Sequence, residues 1–320
     1  MATAEQLKNL IKAHFEEDPN RFTTLALQVA AYEAKLGHSA FAFEIRDLVD
    51  KKKITRVVKL KATNNDLTGL ILEIEPKEKR NELIVSKAIG EKIDRILTEF
   101  KQSHKLAKHG MHNRRKILLA GPPGTGKTMS ASIIAAELKQ PLFIILMDKL
   151  VTKFMGESSS KLRQIFEMIS ERNGVYFFDE FDTIGGERAK DNDVGEMRRV
   201  LNSFLHFIER DTSESLILAA TNNISLLDQA LFRRFDDVIQ YSNPTPKEIV
   251  SLINNKLGGF KPKFNSENIL PYTTGLSHAE ITQACVDAIK SSILAGKNKV
   301  TTALLISMLN DKKSIYKKSK

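Results

Sequence analysis

Gly121-Pro-Pro-Gly-Thr-Gly-Lys-Thr128 fits the spacing G-x-x-x-x-G-K-[ST]. Residues of these types in this order cradle a polyphosphate. Glycines let backbone N–H groups come close, the lysine brings a point charge to the β- and γ-phosphates, and the final hydroxyl ligates Mg²⁺. The candidate phosphate-binding set is Gly121, Pro122, Pro123, Gly124, Thr125, Gly126, Lys127 and Thr128, with Met129 next in the chain. A second constellation is Val175-Tyr-Phe-Phe-Asp179-Glu180, an apolar run ending in two carboxylates. Asp179 is the candidate to join Thr128 around a metal ion, and Glu180 the candidate to orient and activate a water. Cleaving a phosphoanhydride needs little covalent help from a protein, so positioning and charge neutralisation carry the rate. A third is Leu216-Ile-Leu-Ala-Ala-Thr221-Asn222, whose terminal amide can hydrogen-bond a γ-phosphate or the attacking water.

These groups act together only if the chain brings them to one edge. Lys116-Ile-Leu-Leu-Ala120 reads as a buried strand before the glycine-rich loop, and Met129 to Lys139 reads as a helix after it. Lys127 and Thr128 then sit at a helix N-terminus, where the dipole favours anions. A strand buried on both faces is a continuous apolar run, and its carboxyl end opens into the ligand crevice of a parallel sheet. Strands are expected at 116–121, 141–147, 174–179, 215–221 and 237–242, alternating with amphipathic helices. That alternation is the pattern of an α/β domain with helical crossovers. Beyond Pro244 and Pro246, residues 247–257, 266–271, 277–295 and 301–310 read as helices of a separate lid. Ahead of the α/β domain, 3–15, 20–35 and 39–52 carry helical spacing, while 54–82 reads as a connector.

Composition narrows the class. The 320 residues carry a net charge of +10. That excess falls in 83–115, with 8 basic and 3 acidic residues, and in 297–320, with 7 and 1. Residues 116–296, with 20 and 22, are slightly acidic, so the tail reads as a solvated end and a dedicated nucleic-acid surface is disfavoured. Cys285 is the only cysteine, which rules out an intrachain disulfide and points to a buried thiol. No apolar run approaches a membrane span, and Met-Ala-Thr-Ala-Glu-Gln at the start lacks a basic-then-apolar leader. The expected location is the cytoplasm.

Taken in order, Gly-Pro-Pro-Gly-Thr-Gly-Lys-Thr, Phe-Phe-Asp-Glu-Phe-Asp, Ala-Ala-Thr-Asn and Leu-Asp-Gln-Ala-Leu-Phe-Arg-Arg-Phe-Asp resemble the AAA family of ATPases. The likeness is to its protein-remodelling branch, and to small stand-alone bacterial members. It spans about residues 83–310 and implies an AAA-type P-loop domain with a five-stranded parallel sheet in the order 5-1-4-3-2 and a helical lid. It also implies ATP and Mg²⁺ as ligands, and a homo-oligomeric, usually hexameric ring with nucleotide between neighbours. On this likeness Asn222 is the sensor residue, and Arg233 and Arg234 are the arginines that reach the adjacent site. Members usually separate that pair by two residues, and here it is adjacent, so either can be the one that acts.

Gly275-Leu-Ser-His-Ala-Glu280 resembles the lid motif beside the adenine and ribose, with His278 where glycine is commoner. The histidine many members carry at the lid's start has no counterpart in Ile253-Asn-Asn-Lys256. Lys153-Phe154-Met155-Gly156 matches the family's pore loop, which grips an extended polypeptide. Gly185 to Asp193 reads as a second polar loop, with Arg198 and Arg199 at the start of the next helix. The domain reading is therefore a helical module at 1–53, a linker at 54–82, the ATPase domain at 83–244, the lid at 245–313 and a basic tail at 314–320.

The implied function is ATP hydrolysis that remodels, unfolds or threads a protein substrate, recruited directly or by an adaptor at the N-terminal module. No His-Glu-x-x-His occurs, so any proteolysis would need a separate partner protein. Two alternatives stay open: a nucleic-acid loader or transposition helper, and a regulatory switch that assembles without threading.

Overall fold

A computed structural model describes residues 8, 19–38, 42–44, 57–58, 67, 69–153, 156–184, 191–224, 229–261 and 266–317. The chain divides into two compact units, Met1–Val58 and Lys59–Lys320. In the first, α1 (Pro19–Lys35) buries Ala26, Val29 and Ala30. Its end is closed by Glu33, whose carboxylate accepts from His38 Nδ1 at 2.6 Å. The helices expected at 3–15 and over most of 39–52 lie outside the described residues.

In the second unit six strands form one mostly parallel sheet. They are β1 (Ile71–Ile74), β2 (Lys116–Ala120), β3 (Leu142–Leu146), β4 (Val175–Asp179), β5 (Leu216–Thr221) and β6 (Asp237–Gln240), in the order β1-β3-β4-β5-β2-β6. Five run parallel, and β1 alone is antiparallel, with Ile71 opposite Ile145. β1 lies inside the segment expected to be a bare connector, and it caps the edge of β3. Glu73 beside Arg172, whose guanidinium sits 4.6 Å above the Phe143 ring, holds it there.

The strands are apolar on both faces because helices cover both. Leu118, Tyr176, Phe178, Ile217 and Ala219 face one core. Ile117, Leu119, Phe177, Leu216 and Leu218 face the other, as the two-residue period of a strand demands. The helices are α2 (Lys87–Lys101), α3 (Ser103–Ala107), α4 (Lys127–Leu138), α5 (Met147–Lys153), α6 (Ser158–Glu171), α7 (Asp191–Arg210) and α8 (Gln229–Phe232). α4 is buried almost all round, which suits its Ser-Ala-Ser-Ile-Ile-Ala-Ala composition. One expectation is corrected: Arg198 and Arg199 lie in the body of α7 rather than at its start. α5 follows β3 directly and ends at Lys153.

Four helices build the lid: α9 (Pro246–Leu257), α10 (Leu270–Thr273), α11 (His278–Leu294) and α12 (Thr302–Lys317). α9 and α11 each begin with a capping box, Thr245 with Glu248 and Ser277 with Glu280, so the N-terminal donors are satisfied and the starts fixed. Ile253, Ile281, Ala284 and Cys285 centre its core, where burial pushes the Cys285 thiol up to about 12.

Residues 75–84 form a strap across this unit. Glu78 accepts from Ser132 of α4, Arg80 pairs with Asp94 of α2 at 3.2 Å, and the Asn81 carbonyl accepts from Asn255 of α9 at 3.1 Å.

Candidate functional site

The carboxyl ends of β2, β4 and β5 converge on a cavity of about 430 Å³. Lys127, Asp179, Glu180 and Asn222 line it from the sheet, Leu83 from the strap and His278 from the lid. Pro123, Gly124, Thr125, Gly126, Thr128 and Met129 complete its floor.

The loop over 121–126 is held by one bond to the end of β5 and one within itself. The Gly121 N–H donates to the Thr221 carbonyl at 3.1 Å, and the Thr125 hydroxyl donates to the Pro122 carbonyl at 2.7 Å. Gly121, Gly124 and Gly126 have φ of 151°, 72° and 101°, a region that penalises any side chain. Space is as restrictive as angle. A Cβ on Gly121 would stand 2.3 Å from the Tyr241 carbonyl oxygen, and one on Gly124 would stand 2.7 Å from Ser277 Oγ. Gly121→Ala is thus expected to push β6 from β2 and cost about 1–3 kcal/mol, as overpacking does. Thermal unfolding checks it, and an unchanged melting temperature would contradict the packing. Gly126, in the left-handed region ahead of α4, provides no side-chain cap and leaves the first N–H groups for an anion.

Lys127 is buried, and its ammonium donates to the Gly121 carbonyl at 2.7 Å, the Pro122 carbonyl at 2.9 Å and Asn222 Oδ1 at 2.9 Å. Burial pulls its pKa down, against the opposing pull of Asp179 and Asp182. Asp179 sits across from it at the end of β4. Burial raises this carboxyl, while the Glu180 N–H at 2.9 Å, the Lys127 charge and the Thr128 hydroxyl lower it. Glu180 follows at the cavity mouth with φ 53°, a non-glycine in the left-handed region at a cost of about 1–2 kcal/mol. Burial, then Asp179, Asp148 and Asp182, push its carboxyl up. Strain and crowded like charges at one place mark a functional site. The glycine cradle, the buried ammonium and the Thr128–Asp179 pair fit a triphosphate with Mg²⁺.

The lid closes the cavity from above. Ala279 N–H donates to the Gly124 carbonyl at 2.9 Å, so α11 begins against the phosphate loop. Gly275, at φ 85°, turns the chain toward it. His278 is 9% exposed, both ring nitrogens are buried without a hydrogen-bond partner among the described residues, and burial lowers its pKa.

Arg233 and Arg234 follow α8 and do not line this cavity of their own chain. They differ in partner. Arg234 pairs with Glu209 of α7 at 3.1 Å, whereas Arg233 is exposed and forms no ion pair among the described residues. Phe154 and Met155 lie outside the described residues, as do 185–190. Lys153 ends α5, and Gly156 has φ 86°. Sequence reasoning passed over several residues here. Among them, Asp182 accepts from the Asn222 N–H at 3.2 Å, Lys256 reaches the cavity from α9, and Ile84 lines it from the end of the strap. Lys256 had a signal, since it occupies the segment where the lid histidine is missing.

Five of the eight basic residues in 83–115 take part in ion pairs: Lys87, Lys92, Lys101, Arg114 and Arg115. No helix among the described residues is long and apolar enough to cross a membrane.

Comparison with known proteins agrees with this geometry. The profile of the ATPase family associated with various cellular activities (AAA) matches residues 117–243. An uncharacterized AAA family ATPase of Sinorhizobium fredii, y4kL, is 31% identical over 309 residues, 94% of this chain and 92% of the relative. The proteasome-activating nucleotidase of Saccharolobus solfataricus is 35% identical over 211 residues, 63% of this chain and 53% of the relative. That of Methanosphaerula palustris is 30% identical over 257 residues, 77% and 62%. The chain thus spans between half and two thirds of those nucleotidases. On the length and identity of these matches, the chain belongs to the AAA family of ATPases.

Proposed function

We propose that this ATPase works as a ring of identical subunits, hexameric as is usual for the family, that hydrolyses ATP to remodel or unfold a protein substrate. The single observation behind the shared-site reading is the contrast between the two arginines. Among the described residues no arginine lines the cavity, while Arg233 is exposed and forms no ion pair. Arg234, held by Glu209, braces the segment that presents Arg233. Similarity to proteasome-activating nucleotidases supports a protein as the substrate. Lys153, Phe154, Met155 and Gly156 are the segment to grip it, and the N-terminal unit is the segment to recruit it or an adaptor. The internal pairing of the basic residues in 83–115 argues against the nucleic-acid alternative.

Within one subunit, the residues divide the work as follows. Backbone N–H groups of 121–126 and Lys127 bind the phosphates of ATP. Thr128 and Asp179 would hold Mg²⁺, which neutralises developing charge when bound. Glu180 orients the water and takes its proton, and Asn222 meets the γ-phosphate. His278, with Gly275 setting the turn ahead of it, lines the cavity on the side given to the nucleoside. A neighbour's Arg233 adds positive charge to the transition state.

Mixing subunits tests this. Arg233→Ala is expected to lower hydrolysis on the order of 10³-fold or more, as loss of an arginine finger does. Arg234→Ala acts through the brace and has a smaller effect. Arg233→Ala subunits mixed with Glu180→Gln subunits regain activity, because an intact cavity then meets an intact arginine. Equal activity in separated subunits, or no recovery on mixing, would overturn the shared site.

A further inference from the structure

We infer that Asp182 is a positioning residue that ties together the two strand ends on which ATP cleavage depends. The inference rests on the ATPase reading of the cavity and extends it to a residue outside the phosphate loop and the Asp179–Glu180 pair. The backbone ladder between β4 and β5 stops at Phe178 opposite Ala219. Beyond it the two chains separate, one into the turn that carries Glu180, the other toward Asn222. The Thr221 carbonyl bonds sideways, to the Gly121 N–H at 3.1 Å. Across this gap Asp182 Oδ1 accepts from the Asn222 N–H at 3.2 Å.

Both ends of this tie are fixed. Asp182 is the middle residue of a one-turn helix, Phe181–Thr183, whose Thr183 N–H and hydroxyl both donate to the Glu180 carbonyl, the N–H at 2.9 Å. That turn carries the left-handed Glu180. On the other side, Asn222 Oδ1 accepts from Lys127 at 2.9 Å. One carboxylate therefore links the base, the γ-phosphate contact and the phosphate-binding ammonium. Charged acceptors make stronger hydrogen bonds than neutral ones, so Asp suits a tie that must hold while Lys127 changes partners. Removing it frees the Asn222 backbone, and the amide loses its place before it loses its chemistry.

Three measurements test the inference on the full chain. In the nucleotide-free protein, hydrogen exchange at the Asn222 amide is slow, speeds up about tenfold or more in Asp182→Ala, and stays slow in Asp182→Asn, which keeps an acceptor. Turnover falls about tenfold in Asp182→Ala with the affinity for a non-hydrolysable ATP analogue changed less than about twofold, and Asp182→Asn recovers most of it. Asn222→Ala and Asp182→Ala combined cost no more than the worse of the two alone, because they remove one device. Parental turnover and exchange in Asp182→Ala would overturn the inference, as would losses that multiply in the double variant. If Asp182→Ala fails to fold, Asp182→Asn decides: fast exchange at Asn222 with low turnover in that variant would equally overturn the role given to the acceptor. Failure of the ATPase reading looks different, since the parental chain would then show no turnover, or turnover that Lys127→Ala and Glu180→Gln leave intact.

Discussion

Glu180→Gln stops hydrolysis while ATP stays bound. Glutamine keeps the length and shape of the side chain, and the left-handed turn at φ 53° is set by the backbone, so the mouth of the cavity is preserved. What goes is the carboxylate that takes a proton from water. General-base catalysis is worth about 10²–10⁴ in rate, and a loss of at least about a hundredfold is expected. Affinity for ATP holds or improves, because burial, Asp179, Asp148 and Asp182 all disfavour the Glu180 charge and its removal relieves them. Turnover measured beside equilibrium binding separates the two effects. On the ring reading proposed above, the arrested, nucleotide-filled assembly should also retain a protein substrate, so isolating it from extract tests that reading. A variant that hydrolyses ATP at the parental rate would remove Glu180 from the mechanism.

Lys127→Ala acts on binding itself. The ammonium is buried and its acceptors stay behind: Asn222 Oδ1 and the carbonyls of Gly121 and Pro122 each lose a donor. A charge-assisted hydrogen bond contributes about 1.5–3 kcal/mol. Losing the contact to phosphate should weaken ATP by about one to two orders of magnitude at 1.4 kcal/mol per tenfold. Lys127→Arg is not a rescue, because a planar guanidinium does not fit a pocket built around a compact ammonium. Calorimetric titration of each variant with Mg·ATP checks this, and parental affinity in Lys127→Ala would contradict the site. The two substitutions thus differ in kind: one arrests a loaded protein, the other weakens its loading.

Much of this was visible in the sequence for stateable reasons. A glycine-rich loop has few alternative uses when a buried strand precedes it and a helix follows, so Gly121 to Thr128 could be located to the residue. Val175 to Asp179 read as a central strand because both faces are apolar. The lid helices at 247–257 and 277–295 were legible because Pro244 and Pro246 end the strand pattern ahead of them. Other parts depend on contacts that have no local signature. Ile71-Leu-Glu-Ile74 is four residues long, stands beside charges and Pro76, and becomes a strand only because β3 offers it an edge. Met147 to Lys153 is too short to display a helical period. The difference between Arg233 and Arg234 is set by Glu209, on another helix. Asp182 looked like any solvated acid after a strand, since nothing in its neighbours' types reveals that Asn222 lies across from it.

The strap over 75–84 has a mechanical consequence. Lid and phosphate-loop helix are both moored to the same ten-residue thread, through Asn81 to Asn255 and Glu78 to Ser132. Neither can swing without slackening or tightening it. Tension applied to the chain ahead of Ile71 is borne first by β1 along the sheet margin and then by these moorings, whose next residues, Glu82, Leu83 and Ile84, are the wall against which a nucleotide would rest. The grip on fuel and a tug on the leading end of the chain are therefore two ends of a single tether.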